Sequence, residues 1–196
     1  MKNNFLYNLI IKRRSIRLFK QKEVPYPLII KLVNSARLAP SAANSQFLEY
    51  LVINKKNLRD LVFPHLHWAS YVAPKRNPSL NQRPTLYILI LINKEKSLNP
   101  NLRDIGAAAE NILLSLENFG LGGCWLQNIE KEALVNILKI PKNYELDSII
   151  ACGYPLESPK LEISSTNIKY WIDKNNRLHV PKRPLREILH YNRIKK

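Results

Sequence analysis

The sequence predicts an α+β fold or a mixed three-layer sandwich. Three observations predict it. Leu86 to Ile92 is an uninterrupted apolar run, as in a strand buried on both faces. Asp104 to Phe119 carries Ile105, Ala108, Ala109, Ile112, Leu113 and Leu116 at helical spacing. Helical and strand patterns mix along the chain without strict alternation.

Taken in order, residues 4–13 read as a short helix ending in basic residues. Over Tyr26 to Leu38, Leu28, Ile29, Leu32, Val33 and Ala36 recur at helical spacing, and Pro40 stops that helix. Tyr50 to Ile53 reads as a strand and Asn57 to Val62 as a short helix. Residues 64–84 hold Pro64, Pro74, Pro78 and Pro84 with turn residues between. An irregular excursion of that length in a compact domain is usually a lid or a binding loop. The apolar run of Leu86 to Ile92 follows, then the long helix, with Gly120 placed as its C-terminal cap. Cys124 to Leu126 is a strand, Lys131 to Leu138 a helix closed by Pro141, and Ser148 to Cys152 a second buried strand ended by Gly153-Tyr154-Pro155. Tyr170 to His179 reads as a hairpin around Asn175-Asn176, and Pro184 to His190 as a terminal helix with proline at its first position.

No repeat, low-complexity block or composition break marks a linker, so residues 1–196 read as one domain. A chain this long buries roughly 70% of the surface it exposes when unfolded. With 45% hydrophobic and 23% charged residues, wholesale disorder is excluded. The balance of 31 Lys+Arg against 15 Asp+Glu gives a net charge of +16. Such a charge suits a polyanion, an acidic surface or anionic ligands, and equally a solvated basic surface. Aromatic residues are scattered and no RNA-module signature occurs, so no specific nucleic-acid partner is expected. Cys124 and Cys152 form no CxxC, sit in apolar surroundings and read as buried reduced thiols, which fits the cytoplasm. No signal peptide is apparent, and the longest apolar run falls far short of the ~20 residues of a membrane helix.

The usual catalytic signatures are absent: there is no GxGxxG, no GxxxxGK[ST] and no GxSxG. His65 and His67 read as loop histidines, and no metal site is expected. With five glycines in the chain, a phosphate would be held by side chains. Arg13-Arg14-Ser15-Ile16-Arg17 is the obvious candidate, since guanidinium forks and a hydroxyl suit a phosphate monoester. In an extended chain Arg13, Ser15 and Arg17 point the same way; a solvated helix end explains the same spacing. Asn44 and Gln46, in Ala39-Pro40-Ser41-Ala42-Ala43-Asn44-Ser45-Gln46, suit the edge of a heterocycle. An ordinary turn would use the same residues. Gly120-Leu121-Gly122-Gly123-Cys124-Trp125 allows close backbone approach or a cap and a turn.

In order along the chain, these segments resemble the nitroreductase family of FMN-dependent oxidoreductases. Arg13-Arg14-Ser15-Ile16-Arg17-Leu18-Phe19 is similar to its R-R-S-x-R-x-F, and Ala39 to Gln46 to its A-P-S-x-x-N-x-Q. Asp104 to Leu114 with Gly120 to Trp125 resembles its central helix and G-L-G-x-C-W strand entry. Ile140-Pro141, Ala151 to Pro155 and Pro181-Lys182-Arg183-Pro184 resemble its closing elements. The likeness spans about residues 10–190.

The resemblance implies a mostly antiparallel sheet flanked by helices and an intertwined homodimer with FMN at the interface. It implies that Arg13, Arg14 and Ser15 hold the FMN phosphate, with Lys182 and Arg183 closing over it. Arg17 would face the pyrimidine edge of the flavin. Pro40, Ser41, Asn44 and Gln46 would come from the second subunit, and Trp125, Leu126 and Gln127 would run beside the ring. Two departures stand out. Phe47-Leu48 replaces a frequent Pro-Trp, and Gln127-Asn128 stands where many members have glycine. The implied reaction passes hydride from NADH or NADPH to flavin N5 and two electrons onward to a nitroaromatic, quinone or similar small acceptor by a ping-pong cycle. Dehalogenation or desaturation on the same fold is the alternative, and a basic nucleic-acid-binding protein that uses the +16 charge directly is a more distant one. No catalytic side chain is implied. Lys75 and Arg76 form an expected basic pocket edge.

Overall fold

The computed structural model describes residues 4–97 and 99–194. Four strands form the central sheet: β1 (Leu48–Ile53), β2 (Leu86–Asn93), β3 (Gly122–Leu126) and β4 (Tyr144–Gly153). Their order is β1-β2-β4-β3 and every pairing is antiparallel. All eight residues of β2 are buried, as an apolar run in the middle of a covered sheet requires. Its alternate side chains enter two separate cores. Leu86, Ile88, Ile90 and Ile92 pack with Ile112 and Leu116 on one face; Tyr87, Leu89 and Leu91 pack with Val62, Leu126 and Leu134 on the other.

The first face is covered by α2 (Tyr26–Arg37) and α4 (Leu102–Asn118), and the second by α3 (Lys56–Val62) and α5 (Lys131–Leu138). This is the α+β three-layer sandwich the sequence predicts. Within α4 the small residues Ala108 and Ala109 are fully buried, which lets α2 pack closely. Asn101 caps the start of α4 by accepting from the Arg103 N–H at 3.2 Å, and Gly120 follows its end at φ 69°. The short helix α1 (Phe5–Lys12) differs from the others: no residue of it is buried.

A second sheet has the order β5-β7-β6, built from β5 (Lys160–Ile163), β6 (Trp171–Ile172) and β7 (Leu178–Lys182). The predicted hairpin is there, with Asn176 at φ 60° in its turn. The predicted helix over Pro184 to His190 is not: a single 3-10 turn, Leu185–Glu187, stands in its place. Seven residues cannot meet the cost of nucleating a helix alone, and Leu185, Ile188 and Leu189 stay exposed rather than joining either core.

His179 holds the small sheet together. Its Nδ1 meets Glu162, its Nε2 lies 3.0 Å from Asp173 Oδ2, and the Trp171 ring stacks on it at 4.2 Å. Hydrogen bonds to Asp173 and Glu162 raise the His179 pKa, and His179 in turn lowers both carboxyls. The stabilisation from protonated His179 is complete below its unfolded value of about 6.5 and is lost as pH rises through the higher folded value. The carboxylates' share is lost when pH falls through their depressed values. The difference in Tm between the parent and His179→Gln is therefore expected to be largest near about pH 6 and to shrink towards about pH 9. A difference that grows with pH would contradict the assignment.

Candidate functional site

Beyond α1 the chain runs from Arg13 to Phe19 against the mouth of the sheet. Ser15 bridges Gly123, the Ile16 N–H donates to the Gly123 carbonyl at 3.0 Å, and Phe19 bridges Pro155. This approach needs the glycines that open β3. A Cβ on Gly122 would lie 2.5 Å from Ile16 Cγ1, and one on Gly123 would lie 2.7 Å from Leu116 Cδ1. Ile16 and Leu18 are buried, while Arg13, Ser15 and Arg17 alternate with them and stay half-buried.

The arm is short of negative charge. Arg13 Nε lies 3.1 Å from Glu110, close enough to pair but not aligned to hydrogen-bond. Arg14 folds back onto the carbonyls of Arg13 and Ile11, and the Arg17 guanidinium lies 5.3 Å from the Tyr170 ring centre. The Nε atoms of Arg13, Arg14 and Arg17 are all buried without a hydrogen-bond partner. Burial, and then the neighbouring Arg13 charge, pull the Arg14 guanidinium below its ordinary pKa. Burial pushes the Cys124 thiol up, against the Arg17 charge and the Ser15 hydroxyl, which act downward. Crowded cations with unused donors fit an oxyanion, and planar forks beside a hydroxyl fit a phosphate monoester in particular.

A second group gathers at the other end of the same layer. Ala43, Asn44 and Gln46 all adopt left-handed backbone, at φ 51°, 53° and 47°. For alanine and glutamine this conformation costs about 1–2 kcal/mol each, and such outliers concentrate at functional sites. The Ala42 N–H donates to Asp104 Oδ2 at 3.0 Å and the Gln46 N–H reaches Ser41 Oγ at 3.4 Å, which pins the turn. Pro40, Ser41 and Gln46 line a cavity of about 210 Å³ with Arg37, Lys96 and Asp104. Burial beside it pushes the Tyr50 hydroxyl up to about 12. Asn44 and Gln46 are exposed.

The two groups do not meet within one chain. Arg13 is tied to Glu110 and Ala42 to Asp104. Those carboxylates lie about 9 Å apart along α4 and about 120° apart around it. Trp125 and Leu126 turn their side chains into opposite cores, with Trp125 Nε1 donating to Ser148 Oγ at 2.7 Å. The Leu126 side chain is buried, Trp125 is half-buried and Gln127 is exposed. Lys182 and Arg183 are also exposed; Arg183 lies 3.7 Å from Glu187, and neither makes an ion pair with the arm.

Residues 64–84 are tied to the sheet and the arm at both ends of the segment. Leu66 bridges Ile129 just past β3, His65 Nδ1 meets Glu130 at 2.7 Å, and the Gln82 carbonyl accepts from Phe19 N–H at 2.9 Å. His65 and His67 share Glu130, and among the described residues no group of side chains is arranged to hold a metal. Arg76 corrects the expectation of a basic pocket edge. It is 1% exposed and pairs with Glu157 at 3.3 Å. Sequence reasoning missed Glu157, because its partners come from two distant segments, the arm and Arg76, and carry no spacing signal.

A three-layer α+β sandwich whose glycine-opened strand clasps an arginine-rich arm defines the nitroreductase fold. Residues 10–154 match the sequence profile of the nitroreductase family, and the chain belongs to that family. A relative from Archaeoglobus fulgidus, provisionally named NADH dehydrogenase/NAD(P)H nitroreductase, is 29% identical over 154 residues, covering 75% of this chain and 83% of the relative. The iodotyrosine deiodinase of Thermotoga neapolitana is 25% identical over 183 residues, covering 84% of this chain and 97% of that protein. Among solved structures, an FMN-dependent nitroreductase from Clostridium difficile R20291 superimposes with a TM-score of 0.66 at 27% identity, covering 96% of this chain and 99% of that one. Among the described residues no helix is long and apolar enough to cross a membrane.

Proposed function

We propose that the protein binds FMN at a site shared by two copies of the chain and acts as an NAD(P)H-dependent oxidoreductase. The carrying observation is the arm itself: three buried guanidinium Nε atoms without a hydrogen-bond partner, only Arg13 facing a carboxylate, beside Ser15 and the glycines of β3. Arg13, Arg14 and Ser15 bind the phosphate, and Lys182 and Arg183 approach it from the C-terminal side. Arg17 sets a positive charge at the pyrimidine edge, where it favours added electron density. When bound, the flavin supplies a two-electron carrier that takes hydride at N5 from NADH or NADPH and serves a nitroaromatic, quinone or similar acceptor in turn by a ping-pong cycle.

The second copy supplies Pro40, Ser41, Asn44 and Gln46, whose turn is strained yet faces outward. The separation of the two groups along α4 and the uncovered apolar side of α1 support this sharing. The backbone at Trp125, Leu126 and Gln127 forms the wall beside the ring, and the 64–84 segment excludes water from that side. Reductive dehalogenation of an aromatic substrate is the second reading, favoured by the relative named iodotyrosine deiodinase.

The test is an absorbance spectrum of the purified protein, followed by NADH or NADPH without oxygen. Flavin bands that bleach are the expected result. A colourless protein that ignores added FMN would overturn the proposal. A panel of nitroaromatics, quinones and iodotyrosine offered to the reduced protein then separates the two readings.

A further inference from the structure

We propose that Glu157 and Arg76 are positioning residues that aim Arg17, a role that rests on the FMN reading above. Glu157 Oε1 accepts two successive backbone N–H groups, Arg17 at 2.6 Å and Leu18 at 3.1 Å. Its other oxygen faces Arg76 Nε at 3.3 Å, and the two side chains are 7% and 2% exposed. Arg76 forks onto Asn176, with Nη1 at 3.2 Å from the side-chain oxygen and Nη2 on the carbonyl. The arm and the 64–84 segment thus converge on one buried carboxylate, and the turn between β6 and β7 reaches it through Arg76.

A carboxylate that accepts two consecutive N–H groups fixes the peptide plane between them. That plane sets the direction in which the Arg17 side chain leaves the backbone. The Arg17 guanidinium has an unpartnered buried Nε and rests near Tyr170, so it is held mainly by its backbone. The two N–H groups meet one oxygen of this buried carboxylate and the Arg76 cation faces the other. The Asn176 fork holds Arg76 in turn, because a planar guanidinium bonded on both sides cannot rotate.

Glu157→Asp keeps the charge on Arg76 but draws the carboxylate back from the two N–H groups. It is expected to raise the Kd for FMN about tenfold, read by flavin fluorescence on protein that melts cooperatively. The same change in an Arg17→Ala background is expected to alter Kd by less than about threefold, since contacts acting through one residue do not add. Arg76→Lys, which keeps the charge and gives up the Asn176 fork, is expected to weaken FMN in the same direction and serves if Glu157→Asp does not fold. Kd unchanged in both variants, or a tenfold loss that persists without Arg17, would overturn the inference while FMN binding by the parent still stood. A parent that binds no FMN would overturn the functional reading first.

Discussion

Arg14→Ala is expected to weaken FMN binding by about 30-fold or more while the apo protein keeps its fold. Truncating one member of a buried charged contact costs about 2–5 kcal/mol, much of it from leaving the other charge unpaired. In the free protein the balance is different. Arg14 is lowered by burial and by the Arg13 charge, so its removal relieves a repulsion. Against that relief stand its bonds to the Arg13 and Ile11 carbonyls at the end of α1, which help cap the helix. The two effects oppose each other, and the apo Tm is expected to move by no more than about 3 °C. Affinity from flavin fluorescence and Tm from calorimetry on apo protein check both halves. Unchanged affinity would remove Arg14 from the phosphate site. A collapse of apo stability would make it a structural cap instead.

The separation of these two effects explains which parts of the molecule the sequence made legible. β2 was readable because Leu86 to Ile92 is an unbroken apolar run, and α4 because Ile105, Ile112, Leu113 and Leu116 recur on one face. The arm stood out as a candidate because arginines and a serine at alternate positions suit an oxyanion. Its extended path was not fixed by spacing alone, because a helix end would have carried the same residues. What decides it is Gly122, which lets Ile16 approach to a distance that a side chain there would block. The strain at Ala43 and Gln46 was hidden because neither residue type signals left-handed backbone. β5 was missed because its four residues alternate weakly, and it pairs in parallel with a strand far along the chain. The Glu157 junction was hidden for the same reason: contacts between segments 81 to 140 residues apart leave no local pattern.

Replacing Leu6 and Ile10 of α1 together by aspartate is expected to yield a folded monomer that binds FMN on the order of 100-fold more weakly. Leu6 and Ile10 lie one turn apart and are 60% and 46% exposed, with Phe5, Tyr7 and Ile11 also open beside them. An eight-residue helix with nothing buried is too short to persist by itself. Its ties to this chain, Lys12 with Glu117 and Arg13 with Glu110, lie at its C-terminal end and leave the apolar side uncovered. Covering that side would contribute about 1.5–3 kcal/mol for each large side chain buried, before the cost of association. A second copy of the chain offers matching apolar surface at Leu185, Ile188 and Leu189, which this chain also leaves open. Since α1 contributes nothing to either core, two aspartates there should break the assembly without unfolding the sandwich. The arm would remain, but the turn carrying Asn44 and Gln46 would no longer face it, and a half-site would be left. Light scattering and flavin titration on the same sample check the two consequences together. A monomer that binds FMN as tightly as the parent would show that one chain completes the site, and a variant that stays dimeric would place the interface away from α1.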